Sequence, residues 1–367
     1  MGKIKYLFKY RFSNIGAMLR NNKAEPLECE EDFNGHLVVI TGATSGIGYH
    51  TAREYASHGA NLLVINRNEK KSRKLCDEIK NDYGVQCTYM LADFSVLSQV
   101  KKVALELANS EMNIDVFIHN VGADFAERTV SNDGFEMVFQ VDHLAPFVLT
   151  YLLKEKLKDQ KKSRIIFVNS EAHRFATIGL KLDDLNWKKR RYTRLKSYGS
   201  AKTSQLLTMI KFDEYFQNSG VTINAMHPGN VKTKMAEESS GFFQRVFIQP
   251  NFRPVEISSK SLYYLGVSKD IENVSGKFFN LTNIEEPAPP ALDETVAEEL
   301  WDLTIKLGGL DLAMKTMKLS FSTTRRSASS ATQGMKSSEG ISTCLFPPST
   351  GTTTGTCGDS WNREFQR

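Results

Sequence analysis

The sequence predicts an α/β fold, a doubly wound parallel sheet of about seven strands with helices on both faces, in a single domain. Three observations carry this. Apolar, β-branched runs alternate with helix-patterned stretches, the order from which parallel sheets are built. The strand runs are almost continuously apolar, as strands covered on both faces are. The first of them leads directly into a glycine-rich turn and then a helix.

Taken in order, the strands are expected at 36–41 (HLVVIT), 61–66 (NLLVIN), 86–91, 114–120 (IDVFIHN), 164–169 (RIIFVN) and 221–227 (VTINAMH), with a last one at 276–281. Helical patterns fill the gaps, as at 48–58, 95–108 and 134–157. The 367 residues are 41% hydrophobic and 24% charged, which excludes collagen-like, wholly disordered and polytopic membrane chains. A net charge of +5 is too small for the dense basic face that nucleic acid requires, so no nucleic-acid partner is expected. Five cysteines (Cys29, Cys76, Cys87, Cys344, Cys357) form no C-x-x-C. An odd number without that spacing argues against a disulfide framework or a metal site and fits a reducing compartment, the cytoplasm.

Length and pattern divide the chain into a basic leader (1–33), the α/β domain (34–307) and an extension (308–367) that is rich in Ser, Thr and Gly and reads as a disordered tail. The leader lacks an apolar run near the roughly 20 residues of a membrane span. Lys3, Lys5, Lys9 and Arg11 interleave with Tyr6, Leu7, Phe8 and Phe12. Two readings stand: an interfacial helix making peripheral contact with the cytosolic side of an anionic membrane, or a solvated helix packed on the domain.

The glycine turn is Thr41-Gly42-Ala43-Thr44-Ser45-Gly46-Ile47-Gly48. Glycines permit positive φ and close backbone approach to a pyrophosphate, and the following helix offers free N–H groups at its positive end. The spacing Gly-x-x-x-Gly-x-Gly resembles the short-chain dehydrogenase/reductase family, and the resemblance spans most of the chain, with motifs in the family's order. It implies a Rossmann-type nucleotide domain. The second strand ends at Asn66-Arg67 without the carboxylate that would bond the ribose 2′-hydroxyl of NAD, and Arg67 suits a 2′-phosphate. NADP(H) is therefore the expected cofactor, with NAD(H) as the alternative. By resemblance Asp93 contacts the adenine. Asn120 and Gly122 lie along the cofactor in Asn-Val-Gly, where His119 and Val121 replace the usual Asn and Ala.

Tyr198 and Lys202 are four apart and share a helical face. Ser170 ends the fifth strand, and strand C-terminal ends line the crevice of such a sheet. Carbonyl reduction leaves charge on oxygen that needs a proton. Tyr, with an ordinary pKa of about 10, can supply it if a neighbouring Lys ammonium lowers that value. Ser170 would steady the developing oxyanion. By resemblance these three are the catalytic Ser, Tyr and Lys, and Lys202 also holds the nicotinamide ribose. The family's fourth member is an Asn where this chain has Asp142, an acceptor that cannot donate when ionised and adds charge near Lys202. Pro228, Gly229, Val231 and Thr233 match the segment that holds the carboxamide. His173 and His227 near the crevice read as structural.

The SEAHRF and HPGN motifs place the resemblance in the retinol dehydrogenase / WW-domain-containing oxidoreductase branch, without WW domains. That implies hydride transfer between nicotinamide and an apolar carbonyl or alcohol (retinoid-, steroid- or aldehyde-like). It also implies a homodimer paired through the helices bearing Asp142 and Tyr198. Residues 241–250, with Phe242, Phe243, Phe247 and Ile248, stand where the family carries a substrate lid; ordinary packing is the other reading. The run from Lys188 to Lys196 reads as a solvated basic loop, with a membrane-surface or acidic-partner patch as the other reading. A second function class, a nucleotide-binding or interaction protein with weak or no catalysis, is favoured by Asp142 and His119.

Overall fold

Each predicted strand forms, and all but the third, at the sheet edge, are largely buried. The strands are β1 (Leu37–Thr41), β2 (Asn61–Asn66), β3 (Cys87–Leu91), β4 (Val116–His119), β5 (Ser163–Val168), β6 (Val221–His227) and β7 (Phe278–Asn280). The structure is a computed structural model that describes residues 5–6, 9, 12–21, 24–231 and 252–311. The sheet order is β3-β2-β1-β4-β5-β6-β7-β8, and β1 to β7 run parallel. An unpredicted eighth strand, β8 (Asn283–Glu285), pairs antiparallel with β7. Three residues joined to β7 by a two-residue turn without glycine carry too little pattern to be seen in sequence. The chain reverses direction between β1 and β4, and at such a switch point the strand ends open a crevice.

The helices are α1 (Phe12–Asn21), α2 (Gly46–Ser57), α3 (Glu69–Tyr83), α4 (Leu97–Ala108), the single turn α5 (Met137–Phe139), α6 (Ala145–Asp159), α7 (Arg194–Phe216), α8 (Glu256–Val267) and α9 (Glu294–Leu307). Residues 134–157, expected as one helix, are broken. Between α5 and α6 lies a π-segment, Gln140–Leu144, in which Ala145 donates to the Gln140 carbonyl five residues back. Pro146 has no N–H for the Asp142 carbonyl, and Gln205 on α7 donates its Nε2 to that oxygen at 3.1 Å instead. Such a bulge widens the helix where Asp142 faces the crevice.

Among the described residues no helix is long and apolar enough to cross a membrane. The leader is packed on the domain where it is described. Tyr6 is buried and donates to Asp293 at 2.7 Å, Asn21 donates to Glu285, and Leu27 N–H donates to Thr282. This favours the second of the two readings of that segment. At the other end of the domain α9 lies on α6 and α7, with Trp301 5.0 Å from Phe147 and 4.8 Å from Phe212 between ring centroids. The expected disordered tail falls outside the described residues.

Candidate active site

The turn after β1 is built by its neighbours as much as by its glycines. Gly42 and Gly46 take φ of +73° and +57°, which L side chains rarely adopt. A Cβ on Gly48 would lie 2.4 Å from the Gly42 carbonyl oxygen and 2.5 Å from Asn120 Nδ2, so only glycine fits. Asn120 donates that Nδ2 to the carbonyls of Thr41 and Gly42, and its own N–H donates to Thr41 Oγ1 at 2.9 Å. Asn66 Oδ1 accepts from Ala43 N–H at 2.8 Å. Thr44 is half-buried beside the turn, and α2 opens at Ser45, Gly46 and Ile47 with Ser45 and Gly46 exposed. A nucleotide diphosphate fits this cradle: the helix end is open, and the buried Asn66 Nδ2 is left without a partner among the described residues.

Arg67, just past β2, is exposed and pairs with no carboxylate among the described residues. Asp93, past β3, is half-buried, and its Oδ1 accepts from Ser95 N–H and Oγ–H at 2.8 and 2.7 Å. His119, the departure from the family pattern, faces away from the crevice. It is buried against Phe117 and Phe167, and Nε2 meets Thr150 Oγ1 at 2.9 Å. Burial pushes its pKa down to about 3, so it packs as a neutral ring.

On the other side of the switch point three elements converge. Ser170 caps the short turn Glu171–Phe175 after β5, its Oγ accepting from Ala172 N–H at 3.1 Å. Gly199 lets α7 lie against that turn, since a Cβ there would meet the Ala172 carbonyl oxygen at 2.5 Å. The next residue back is Tyr198, half-buried, with Ser170 near enough to favour its phenolate. Lys202, one turn further along α7, is buried with its ammonium 5.5 Å from the Tyr198 ring centroid. Asn169 holds the join: its side chain donates to the Lys202 carbonyl and to Gln205, and accepts from Ser170 N–H.

Asp142 is brought to the same place by the π-segment. Its Oδ1 accepts from Ala123 N–H at 2.6 Å, its Oδ2 lies 3.3 Å from Lys202 Nζ, and Gly122 stands beside it. Lys202 also donates to the Val168 carbonyl at 3.0 Å. Burial raises the Asp142 pKa to about 6, against the pull of Lys202 and the Ala123 N–H. Tyr198 is pushed upward by burial and then by the charges of Asp142 and Asp124, with Ser170 pulling the other way. This reverses the downward shift expected from Lys202. That ammonium faces a carboxylate at 3.3 Å, which offsets its field at the phenol.

Sequence reasoning missed Thr41, Asn66, Asn169 and Gln205, which act through backbone groups. It also missed the Asp124–Arg194 pair, with 2.7 Å between Nη2 and Oδ2, which links the β4 loop to the start of α7. The position of Asn169 directly before Ser170, at a strand end, was the one available signal. His173 is a strut: Nδ1 meets the Ser170 carbonyl at 2.8 Å, and Nε2 accepts from Ala288 N–H at 3.0 Å. His227 is buried and held neutral, its pKa pushed down to about 3 by burial. Pro228 and Gly229 turn the chain off β6, Gly229 at φ +80°, and Val231 bridges to Arg253. Thr233 and the expected lid at 241–250 lie outside the described residues. The basic loop is partly neutralised: Lys189 pairs with Asp183, and Arg190 stacks 3.6 Å over Trp187 beside Asp184.

Comparison with known proteins bears on the family and the fold. Residues 36–181 match the short chain dehydrogenase family. Human retinol dehydrogenase 13 is 34% identical over 288 residues, covering 76% of this chain and 86% of that protein. The WW domain-containing oxidoreductase of Danio rerio is 28% identical over 285 residues, covering 76% of this chain and 69% of that protein. Among solved structures, a short chain dehydrogenase from Shigella flexneri 2a complexed with NADP shares the fold at a TM-score of 0.55 and 20% identity, covering 69% of this chain and 99% of that one.

Proposed function

The chain belongs to the short-chain dehydrogenase/reductase family of oxidoreductases, and on that premise we propose that it is an NADP(H)-dependent enzyme acting on an apolar carbonyl or alcohol through Ser170, Tyr198 and Lys202. The observation that carries the reading is the convergence of these three groups at the strand ends beside the switch point. When bound, the nicotinamide supplies or accepts the hydride.

The chain's own residues do the rest. Ser170 Oγ–H donates to the substrate oxygen and holds it near Tyr198. Tyr198 stays protonated well above neutral pH in this setting, so it enters the reductive direction as a proton donor at Oη. Lys202 is positioned by Asp142 and the Val168 carbonyl to meet ribose hydroxyls. The open cradle of Gly42, Gly46 and Gly48 takes the diphosphate, with Asn120 and Gly122 lining the approach. Arg67 takes a 2′-phosphate, since Asn66 is uncharged and occupied by the turn. Asp93 takes the adenine, and Pro228, Gly229, Val231 and Thr233 the carboxamide. The relative named retinol dehydrogenase supports an apolar, retinoid-like alcohol or aldehyde as substrate. The NADP-complexed neighbour supports the cofactor.

One observation favours a second reading, a nucleotide-binding protein with little turnover: Asp142 engages Lys202 directly. Peripheral membrane contact would rest on the exposed Lys188, Arg191 and Lys196 together with the leader. A homodimer formed through α6 and α7 would have to displace or include α9, which lies on them. NADPH oxidation with apolar aldehydes and ketones tests the enzyme reading. Turnover that Tyr198→Phe removes supports it, whereas tight NADPH binding without turnover, in wild type and in Asp142→Asn, favours the second.

A further inference from the structure

Two cysteines outside the crevice face each other at an unusual distance. Cys76 lies on the buried side of α3 with Leu75 and Ile79, and Cys87 opens β3. Their sulfurs are 3.1 Å apart, with the Cys87 thiol donating to Cys76. That is about 1 Å longer than a disulfide bond. The chain between them is short: α3 ends at Gly84, whose φ of +73° turns it back into β3. Cys76 is buried at 8% exposure, but its sulfur touches that of the half-buried Cys87 on the edge strand of the sheet, so a small oxidant reaches the pair from the Cys87 side.

We propose that Cys76 and Cys87 are a redox-active thiol pair that a hydroperoxide converts to a disulfide, cross-linking α3 to β3. The two sulfurs are not equivalent. The hydrogen bond from Cys87 favours a thiolate at Cys76 and holds its pKa below the ordinary thiol value. Donation of that bond, with burial, pushes Cys87 upward. Cys76 is therefore the nucleophile and Cys87 the resolving thiol.

The Cys76 thiolate attacks the peroxide oxygen, the O–O bond breaks, and the departing alkoxide takes a proton to leave as an alcohol, or as water from hydrogen peroxide. The resulting Cys76 sulfenic acid is attacked by Cys87. The S–O bond breaks, the S–S bond forms, and water departs with the Cys87 proton. Two thiols have then lost two electrons and two protons to one peroxide. The cross-link joins the helix that begins beyond Arg67 and Asn68 to the strand that leads to Asp93. The proposal stands independently of which cofactor or substrate the chain takes.

The test treats the full-length protein with hydrogen peroxide, unfolds it, alkylates free thiols and maps the peptides. The expected result is protection of Cys76 and Cys87 together, in one cross-linked peptide two hydrogens lighter than its parts, reversed by dithiothreitol. Cys76→Ser should slow thiol loss at least tenfold, and Cys87→Ser should leave a sulfenic acid at Cys76 that dimedone traps. Alkylation of all five cysteines, a bond to a different cysteine, or over-oxidation of Cys76 in wild type without the cross-link would overturn the proposal.

Discussion

The glycine turn after β1 and the crevice at the ends of β4 and β5 occupy the same edge of one sheet but are built by opposite means. In the turn, backbone does the work. Gly48 is excluded from bearing a Cβ by the Gly42 carbonyl, and Asn120, Asn66 and Thr41 act only on main-chain groups. In the crevice, side chains do it. Ser170, Asp142 and the α7 pair Tyr198 and Lys202 come from three elements, and burial and neighbouring charge perturb both Tyr198 and Asp142. A backbone device tolerates almost no substitution at its glycines yet little depends on any one charge. A side-chain device keeps its shape when one group changes and alters its chemistry instead.

The largest effect that would sharpen this contrast is Ser170→Ala. Removing one oxyanion donor should lower kcat by about 10²–10³ and leave the NADPH dissociation constant within a few-fold of wild type. A parallel loss of binding would place Ser170 in the cofactor cradle and blur the division. Gly48→Ala should show the reverse pattern: overpacking against the Gly42 carbonyl costs about 1–3 kcal/mol, read as a lower melting temperature together with at least tenfold weaker NADPH binding. Unchanged melting and binding would mean that the turn relaxes freely.

Arg67→Ala comes next. Loss of a charge-assisted contact to a 2′-phosphate, about 1.5–3 kcal/mol, should raise the KM for NADPH roughly tenfold or more and leave that for NADH unchanged. Equal shifts for both cofactors would remove Arg67 from phosphate recognition.

The smallest effect is the most specific. Asp142 titrates near pH 6, above the ordinary carboxylate value. The ion pair with Lys202 is therefore made above that pH and lost below it, and kcat/KM should fall on the acid side of about 6. Asp142→Asn should flatten this limb. Stability carries the opposite sign. A carboxyl whose folded pKa is raised stabilises most below its unfolded value and loses that contribution as pH rises through about 6. Denaturant titrations of wild type should show that loss and those of Asp142→Asn should lack it. Parallel curves for the two proteins would detach Asp142 from both titrations.

The same division explains what the sequence made legible. Strands β1, β2 and β4 to β7 were readable because burial leaves a near-continuous apolar run, β3 (CTYML), a part-exposed edge strand, because its run stands between helix patterns, and the turn because positive φ and close approach select glycine. Ser170, Tyr198 and Lys202 were nameable because their spacing matches a resemblance, and the structure brings them together. The π-segment was not readable. It depends on Pro146 lacking an N–H and on Gln205, which lies 63 residues beyond Asp142 in the chain, reaching the Asp142 carbonyl. The upward push on Tyr198 was not readable either, since it sums burial with Asp142 and Asp124 from separate elements. The resemblance puts His119 beside the cofactor, whereas strand alternation turns its ring into the core against Phe117 and Phe167.

Proton donation by Tyr198 in the proposed NADPH-dependent reduction is tested most directly by the initial rate of NADPH oxidation with an apolar aldehyde, wild type against Tyr198→Phe, alongside NADPH binding by fluorescence. The expected result is a rate loss of about 10²–10⁴ with binding preserved. A variant that binds NADPH and still turns over at the wild-type rate would contradict it.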